Sequence, residues 1–315
     1  MKIYQGLSEI SSIENAVVTI GTFDGVHIGH QKILKRLREI ANLIDGSTVL
    51  ITFWPHPRFV LYPNGNKFHL LTSIEERAAL LEQYHVDHLI IIPFTREFSN
   101  LSSEDFIRQI LVDKIGTKKL VIGYDHRFGK DRMGSFKELK EDGHLYGFEV
   151  EEIPEQDIDH VAVSSTKIRT ALEEGDIQTA NKYLGRSYQV SGIVVKGSGI
   201  GRNIGFPTAN INPLFELKLI PADGIYAVRV RRKEKVYGGM LNMGYRPTVD
   251  GKRKVIEVNI FDFEDDIYGE VITLEFIGKT RNEIKFNSLE ELVYQLNRDR
   301  TEIQEILKDV EDEKE

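Results

Sequence analysis

The sequence predicts an α/β domain followed by an all-β domain, and two patterns and the chain length carry that prediction. In the first half, apolar runs of strand length at residues 16–20, 48–53, 88–94 and 119–125 alternate with helical patterns, which is the signature of a parallel sheet. After about residue 184 strand follows strand, at 187–195, 224–230, 236–244, 255–263 and 271–278, with no long helical pattern until Ser288. Such a run predicts an antiparallel barrel or sandwich. At 315 residues the chain is long for one core and suits two domains. The boundary is expected near Gly185, giving domains 1–184 and 185–315.

The elements of the first half can be justified in order. The run AVVTI at 16–20 reads as a buried strand, and GTFDGVHIGH at 21–30 follows it. Gly21 and Gly25 allow a tight turn. From Gln31 onward Ile33, Leu34, Leu37, Ile40 and Ala41 have helical spacing, so His27 and His30 sit where a helix begins. Residues three apart share a helix face, and the free N–H groups there attract anions, so both imidazoles suit one phosphate chain or a polar cap. Ser73 with Glu76, and Ser102 with Asp105, mark two further helix starts. TFWPHP at 52–57 and GYDHRFG at 123–129 fall, like GTFDGVHIGH, at strand ends. In open α/β sheets ligands gather there. VSSTKIR at 163–169 then places Ser164, Ser165 and Thr166 at a helix start, with Arg169 following. Hydroxyls, amides and a guanidinium suit a triphosphate whose pyrophosphate end must leave, although Ser and Thr are also ordinary caps.

In the second half, residues 231–235 suggest a hairpin turn. Leu289, Leu292, Val293, Leu296, Ile303 and Ile306 mark a closing amphipathic helix. Residues 196–211 read KGSGIGRNIGFPTANI. Gly197, Gly199, Gly201 and Gly205 permit close approach of amides to phosphates, and Lys196 or Arg202 supplies charge. No GK[ST] follows, so this is not a Walker loop.

Composition excludes several classes of function. There are no cysteines, so disulfides, thiolate metal sites and cysteine nucleophiles are absent. The net charge of −8 is mostly a tail: residues 301–315 hold seven acids and two lysines, leaving −3 for the rest. That is not the basic footprint of a nucleic-acid binder. The amino terminus lacks a signal-peptide core, and the most apolar stretch, residues 89–94, is too short to span a bilayer. A cytoplasmic protein with no membrane association and no obligate protein partner is expected.

The motifs carry a resemblance. GTFDGVHIGH and VSSTKIR are similar to the HxGH and ISSTxIR elements of the nucleotidylyltransferases, and KGSGIGRNIGFPTAN resembles the GxxxGxxxGFPTAN signature of riboflavin kinases. TFWPHPRFVL, GYDHRFGKDRMG, NMGYRPTV, VIEVNIFDF and TRNEIKF extend the match over about residues 16–300. The chain thus resembles the bacterial bifunctional riboflavin kinase/FAD synthetase family. The resemblance implies a Rossmann-like nucleotidylyltransferase domain with a parallel sheet, then an antiparallel β-barrel kinase domain with a closing helix. It implies two ATP-dependent reactions with Mg²⁺ as cofactor: riboflavin to FMN, then FMN to FAD and pyrophosphate.

The implied roles follow residue by residue. Glu257 is the base of the kinase step, and Thr208 and Asn210 are ligands of the magnesium carried by the nucleotide. Lys196, Gly197, Gly199, Gly201, Arg202, Gly205 and Pro207 would hold that nucleotide. In the front domain His27, His30, Gly21, Phe23, Asp24, Gly25, Ser164, Ser165, Thr166 and Arg169 would serve the second nucleotide, and Asp125 and Phe128 the flavin. His56 joins that set or is a structural histidine between prolines, and Asp24 has the alternative of holding its own turn. Two positions depart from the family pattern: His126 stands where an aromatic is usual, and Asn259 where the family often has His. The rival readings are a nucleotidylyltransferase for another phosphorylated acceptor, with the barrel as a regulatory flavin-binding module, and a non-enzymatic flavin-binding regulator that contacts RNA.

Overall fold

The computed structural model describes residues 1–65, 68–123, 136–153, 163–197, 199–248 and 251–312. It divides into two compact units, Met1–Ser165 and Thr166–Glu315.

The first unit is built on six parallel strands, β1 (Lys2–Gln5), β2 (Ala16–Ile20), β3 (Thr48–Trp54), β4 (His88–Pro93), β5 (Thr117–Gly123) and β6 (Glu149–Ile153). Their order across the sheet is β1-β4-β3-β2-β5-β6. All five residues of β2 are buried, because a central parallel strand is covered on both faces. From β2 the chain steps through β3 to β4 on one side and then crosses to β5 on the other. The reversal point therefore lies at the carboxyl ends of β2 and β5, where such sheets bind ligands. The helix Ile28–Leu43 follows β2 and buries Ile33, Leu34, Leu37, Ile40 and Ala41, the stripe its periodicity predicts. Ser73 and Glu76 form the expected capping box on the helix Ile74–Gln83. Ser102 likewise accepts from the Asp105 amide and opens a helical run that continues as the π-helix Phe106–Ile115.

The second unit is a closed barrel of β7 (Tyr188–Val195), β8 (Ala209–Pro213), β9 (Gly224–Arg232), β10 (Lys235–Thr248), β11 (Gly251–Ile260) and β12 (Val271–Arg281). Strand order around it is β10-β11-β8-β7-β12-β9, every pair antiparallel. Closure removes open sheet edges. The hairpin expected near 231–235 pairs Arg232 with Lys235, and Lys233 turns it with φ of 52°. One seam is much shorter than the others: β8 meets β11 only at Glu257↔Asn210 and Val258↔Ala209.

The helix Leu289–Asp312 closes the barrel through Val293, Leu296, Ile303, Ile306 and Leu307, which pack with Phe206, Ile225, Met240, Phe261 and Ile277. It is also tied by charge. Arg281 reaches the fully buried Asp299 with Nε–Oδ1 at 2.9 Å and Nη2–Oδ2 at 2.6 Å, and Gln295 donates to the same carboxylate at 2.8 Å.

The helices Ser165–Glu174 and Ile177–Leu184 precede the barrel, and from Leu172 and Asn181 they bond to it. The Ala222 amide donates to Leu172 O at 2.9 Å. Asn181 Nδ2 donates to Phe276 O at 2.8 Å and its Oδ1 accepts from the Tyr188 amide at 2.7 Å. The compact units thus divide well ahead of Gly185, because these helices pack on barrel strands.

Candidate functional site

The first site grows from the turn after β2. Phe23, Gly25 and Val26 all have positive φ, at 47°, 84° and 39°. Only Gly adopts this region without strain, so the turn needs external restraint. Asp24 supplies it. Its side chain is 1% exposed, and the carboxylate accepts from the Leu71 and Thr72 amides at 3.1 and 3.0 Å and from Thr72 Oγ1 at 3.1 Å. Arg77, itself fully buried, lies 3.7 Å away and reaches Thr52 Oγ1. The Gly25 amide donates to Thr72 Oγ1 at 3.1 Å, and Gln31 Nε2 to Val26 O at 2.9 Å.

Three of the expected nucleotide residues have places in the turn itself. Asp24 is its buried anchor, the alternative the sequence left open for it. The Gly25 amide is committed to Thr72. Phe23 is core, packed with its ring centroid 4.5 Å from that of His30. The Gly21 amide continues the ladder to Ile51 O at 3.0 Å. Sequence reasoning missed Leu71, Thr72 and Arg77. The only nearby signal was the Ser73 capping box, which marks the helix after them and not their use.

What the restrained turn presents is the histidine pair. His27 is the N-cap of Ile28–Leu43, and its Nδ1 accepts from the His30 amide at 3.4 Å. The two rings stack with centroids 3.6 Å apart and planes 15° from parallel. An imidazole that accepts through Nδ1 carries its proton on Nε2, so Nε2 is the donor of the His27 ring. Ser165 Oγ donates to the Asp24 carbonyl at 2.9 Å and so fixes the VSST segment against the same turn. Ser164 precedes that helix, while Thr166 is exposed and Arg169, three positions on, is half-buried on the same face. At the end of the neighbouring β3, His56 caps Pro57–Leu61 by accepting from the Arg58 amide at 3.1 Å. It is thus a helix cap through Nδ1. Asp125, His126 and Phe128 lie outside the described residues.

The second site lies at the short β8/β11 seam. Glu257 and Asn210 face each other in register and are 8% and 9% exposed. Gly199 and Gly205 of the preceding loop have φ of 74° and 81°. Gly197 is required by proximity: a Cβ there would lie 2.1 Å from Asn210 Nδ2. At Gly201 it would meet Phe206 O at 2.3 Å. The loop therefore folds directly onto the strand that carries Asn210. Lys196, Gly197, Arg202, Pro207 and Thr208 are exposed, so the loop turns amides and cations to solvent. Asn259, next but one after Glu257, is buried and donates through Nδ2 to Pro207 O at 2.7 Å.

The donor set fits a nucleotide-borne Mg²⁺. Thr208 and Asn210 offer uncharged hard oxygens, and among the described residues no group of three or more His, Cys, Asp or Glu is disposed to hold a metal. Magnesium needs only one or two protein oxygens when phosphates and waters supply the rest.

Comparison with known proteins agrees with both halves. The family model for FAD synthetase matches residues 9–167, and that for riboflavin kinase matches residues 184–307. The chain is 38% identical to the "Bifunctional riboflavin kinase/FMN adenylyltransferase" of Haemophilus influenzae, across 95% of this chain and 97% of that one. The Bacillus subtilis protein of the same description is also 38% identical, over 91% of each chain. A solved structure titled "Macrolide-efflux Protein" from Streptococcus pneumoniae has a TM-score of 0.87 at 32% identity, covering 96% of this chain and 98% of that one. Its title names efflux. Among the described residues of the present chain no helix is long and apolar enough to cross a membrane. With two family models in tandem and relatives matched almost end to end, this chain belongs to the bifunctional riboflavin kinase/FMN adenylyltransferase family.

Proposed function

We propose that the family's two reactions are divided between the two sites, with the barrel phosphorylating riboflavin and the parallel-sheet unit adenylylating FMN. The observation that carries this reading is the pairing of Glu257 with Asn210 at the seam, directly beside a glycine loop that turns its cations outward.

In the barrel, Glu257 accepts the proton of the terminal ribityl hydroxyl as that oxygen attacks the γ-phosphorus of ATP and ADP departs. Lys196, Arg202 and the amides of Gly197, Gly199, Gly201 and Gly205 cradle the phosphates. Thr208 and Asn210 would hold Mg²⁺, which when bound neutralises phosphate charge. Alignment and charge neutralisation supply most of the rate, as in other phosphoryl transfers.

In the parallel-sheet unit, an FMN phosphate oxygen attacks the α-phosphorus of ATP and pyrophosphate leaves. The nucleophile is already anionic, so no base is needed. His27, through Nε2–H, and His30 donate to the phosphate chain where negative charge accumulates, while Ser164, Thr166 and Arg169 receive the departing pyrophosphate. Ser165 works at one remove by holding this segment against the Asp24 carbonyl. Asp125 and Phe128 remain the proposed flavin contacts. A cytoplasmic setting, where ATP is abundant, completes the proposal.

The direct test incubates the purified chain with riboflavin and Mg-ATP and separates the products by chromatography. Sequential appearance of FMN and then FAD is expected. Riboflavin returned unchanged, or FMN that never becomes FAD, would overturn the assignment of two sites.

A further inference from the structure

We propose that Asn259 is a positioning residue for the phosphorylation step, fastening the loop that carries Thr208 and Asn210 at a fixed distance from Glu257. The inference rests on the reading of those three residues given above.

The β8/β11 ladder makes two residue pairs and stops at Val258↔Ala209. Continued in register it would set Asn259 opposite Thr208 and Ile260 opposite Pro207. Pro207 has no N–H, so it cannot donate to a ladder, and its carbonyl still needs a partner. Asn259 provides one with its side chain: Nδ2 donates to Pro207 O at 2.7 Å from a position only 5% exposed. A buried side-chain amide thus replaces the missing backbone rung.

The placement matters because of what shares that face. Residues two apart on a strand point the same way, so Glu257 and Asn259 project to one side of β11. Asn210 lies opposite Glu257 in register. The single bond at Pro207 therefore fixes the backbone one residue before Thr208 and three before Asn210. Without it, the loop end is held one residue further back, by the burial of Phe206 in the core and its amide bond to Gly201 O at 2.9 Å. The nucleotide would then meet a Thr208 whose oxygen is no longer fixed against the Asn210–Glu257 pair.

The test uses the full-length chain carrying Asn259→Leu, which keeps the shape and removes the donor, and Asn259→Asp, which keeps the shape and turns an acceptor toward Pro207 O. Loss of one buried hydrogen bond corresponds to roughly a three- to tenfold effect. For Asn259→Leu the KM for Mg-ATP in FMN formation is expected to rise by about that factor. The KM for riboflavin should stay within about twofold, with Asn259→Asp the more affected of the two. Conversion of added FMN to FAD should match the unmodified chain, and circular dichroism of both variants, the control for a folded barrel, should match it too. Unchanged kinetics for Mg-ATP in both variants would overturn the proposal. So would a rise confined to the riboflavin KM, which marks a flavin contact, or a fall in turnover with neither KM moved, which marks loss of folded barrel. Glu257→Gln and Thr208→Ala measured alongside separate the two levels of argument. If those variants phosphorylate riboflavin normally, the site itself is misplaced, whereas a failure confined to Asn259 leaves the site standing.

Discussion

Asp24 and Glu257 are both buried carboxylates, and they do opposite work. Asp24 has its oxygens filled by the Leu71 and Thr72 amides, the Thr72 hydroxyl and Arg77, so it holds shape. Glu257 stands at the shortest seam of the barrel, opposite a side-chain amide, and is assigned chemistry. Glu257→Gln keeps the shape and removes the base. It should lower FMN formation by about 10²- to 10⁴-fold, the usual range for a general base. Conversion of supplied FMN to FAD should continue, and the paired change His27→Ala with His30→Ala should give the reverse. Chromatographic assay of each step separately checks both halves, and joint loss of the two activities in either variant would refute the division. These residues were legible because motif spacing is local: the histidines are three apart and the PTAN string is contiguous. That Asp24 holds its turn was legible as an alternative, but its partners were not, because they stand 47 and 48 residues away and nothing in the string announces the contact. Asn259 was visible only as a departure from pattern, since the carbonyl it serves is 52 residues distant.

At the scale of elements, the closing helix shows how a periodic pattern and a single ion pair share the task of docking. The apolar stripe was readable, and the helix packs by its Val293, Leu296, Ile303 and Ile306, while Leu289 at its start is exposed. The Arg281–Asp299 clamp was not, because it joins a strand end to a helix interior and depends on full burial of the acid. Arg281→Ala should cost the barrel about 3–5 kcal/mol, since it leaves a buried charge without its cation. Asp299→Asn should cost less, because Gln295 and the remaining Arg281 donors can still meet the amide oxygen. Thermal unfolding followed for the barrel unit tests this ordering, and equal costs would mean the clamp is not the source. The strands β1 and β6 escaped the sequence reading for a related reason. They lie at the two margins of the sheet, and short edge strands bury few side chains and show little apolar run.

Over the whole molecule, the order of an α/β region and then an all-β region was readable, because strand alternation and strand succession differ in kind. The compact units divide ahead of the boundary expected near Gly185, where the riboflavin kinase family model begins at residue 184. The helices Ser165–Glu174 and Ile177–Leu184 look like the end of an alternating α/β pattern, yet Leu172 and Asn181 hydrogen-bond to Ala222, Phe276 and Tyr188. A fragment of residues 166–315 should therefore phosphorylate riboflavin and melt at a higher temperature than one of residues 187–315, which loses all three bonds. Calorimetry of the two fragments decides the matter, and equal melting points would show the helices to be dispensable. The two-rung junction of β8 with β11 has a consequence of its own. Opening a cylinder at its thinnest joint breaks the fewest bonds, so local breathing concentrates there while the longer joints stay shut. The amides of Ala209 and Asn210 should exchange with deuterium sooner than those along β9 and β12, so that the wall carrying the proposed phosphorylation site is also the one that yields most readily.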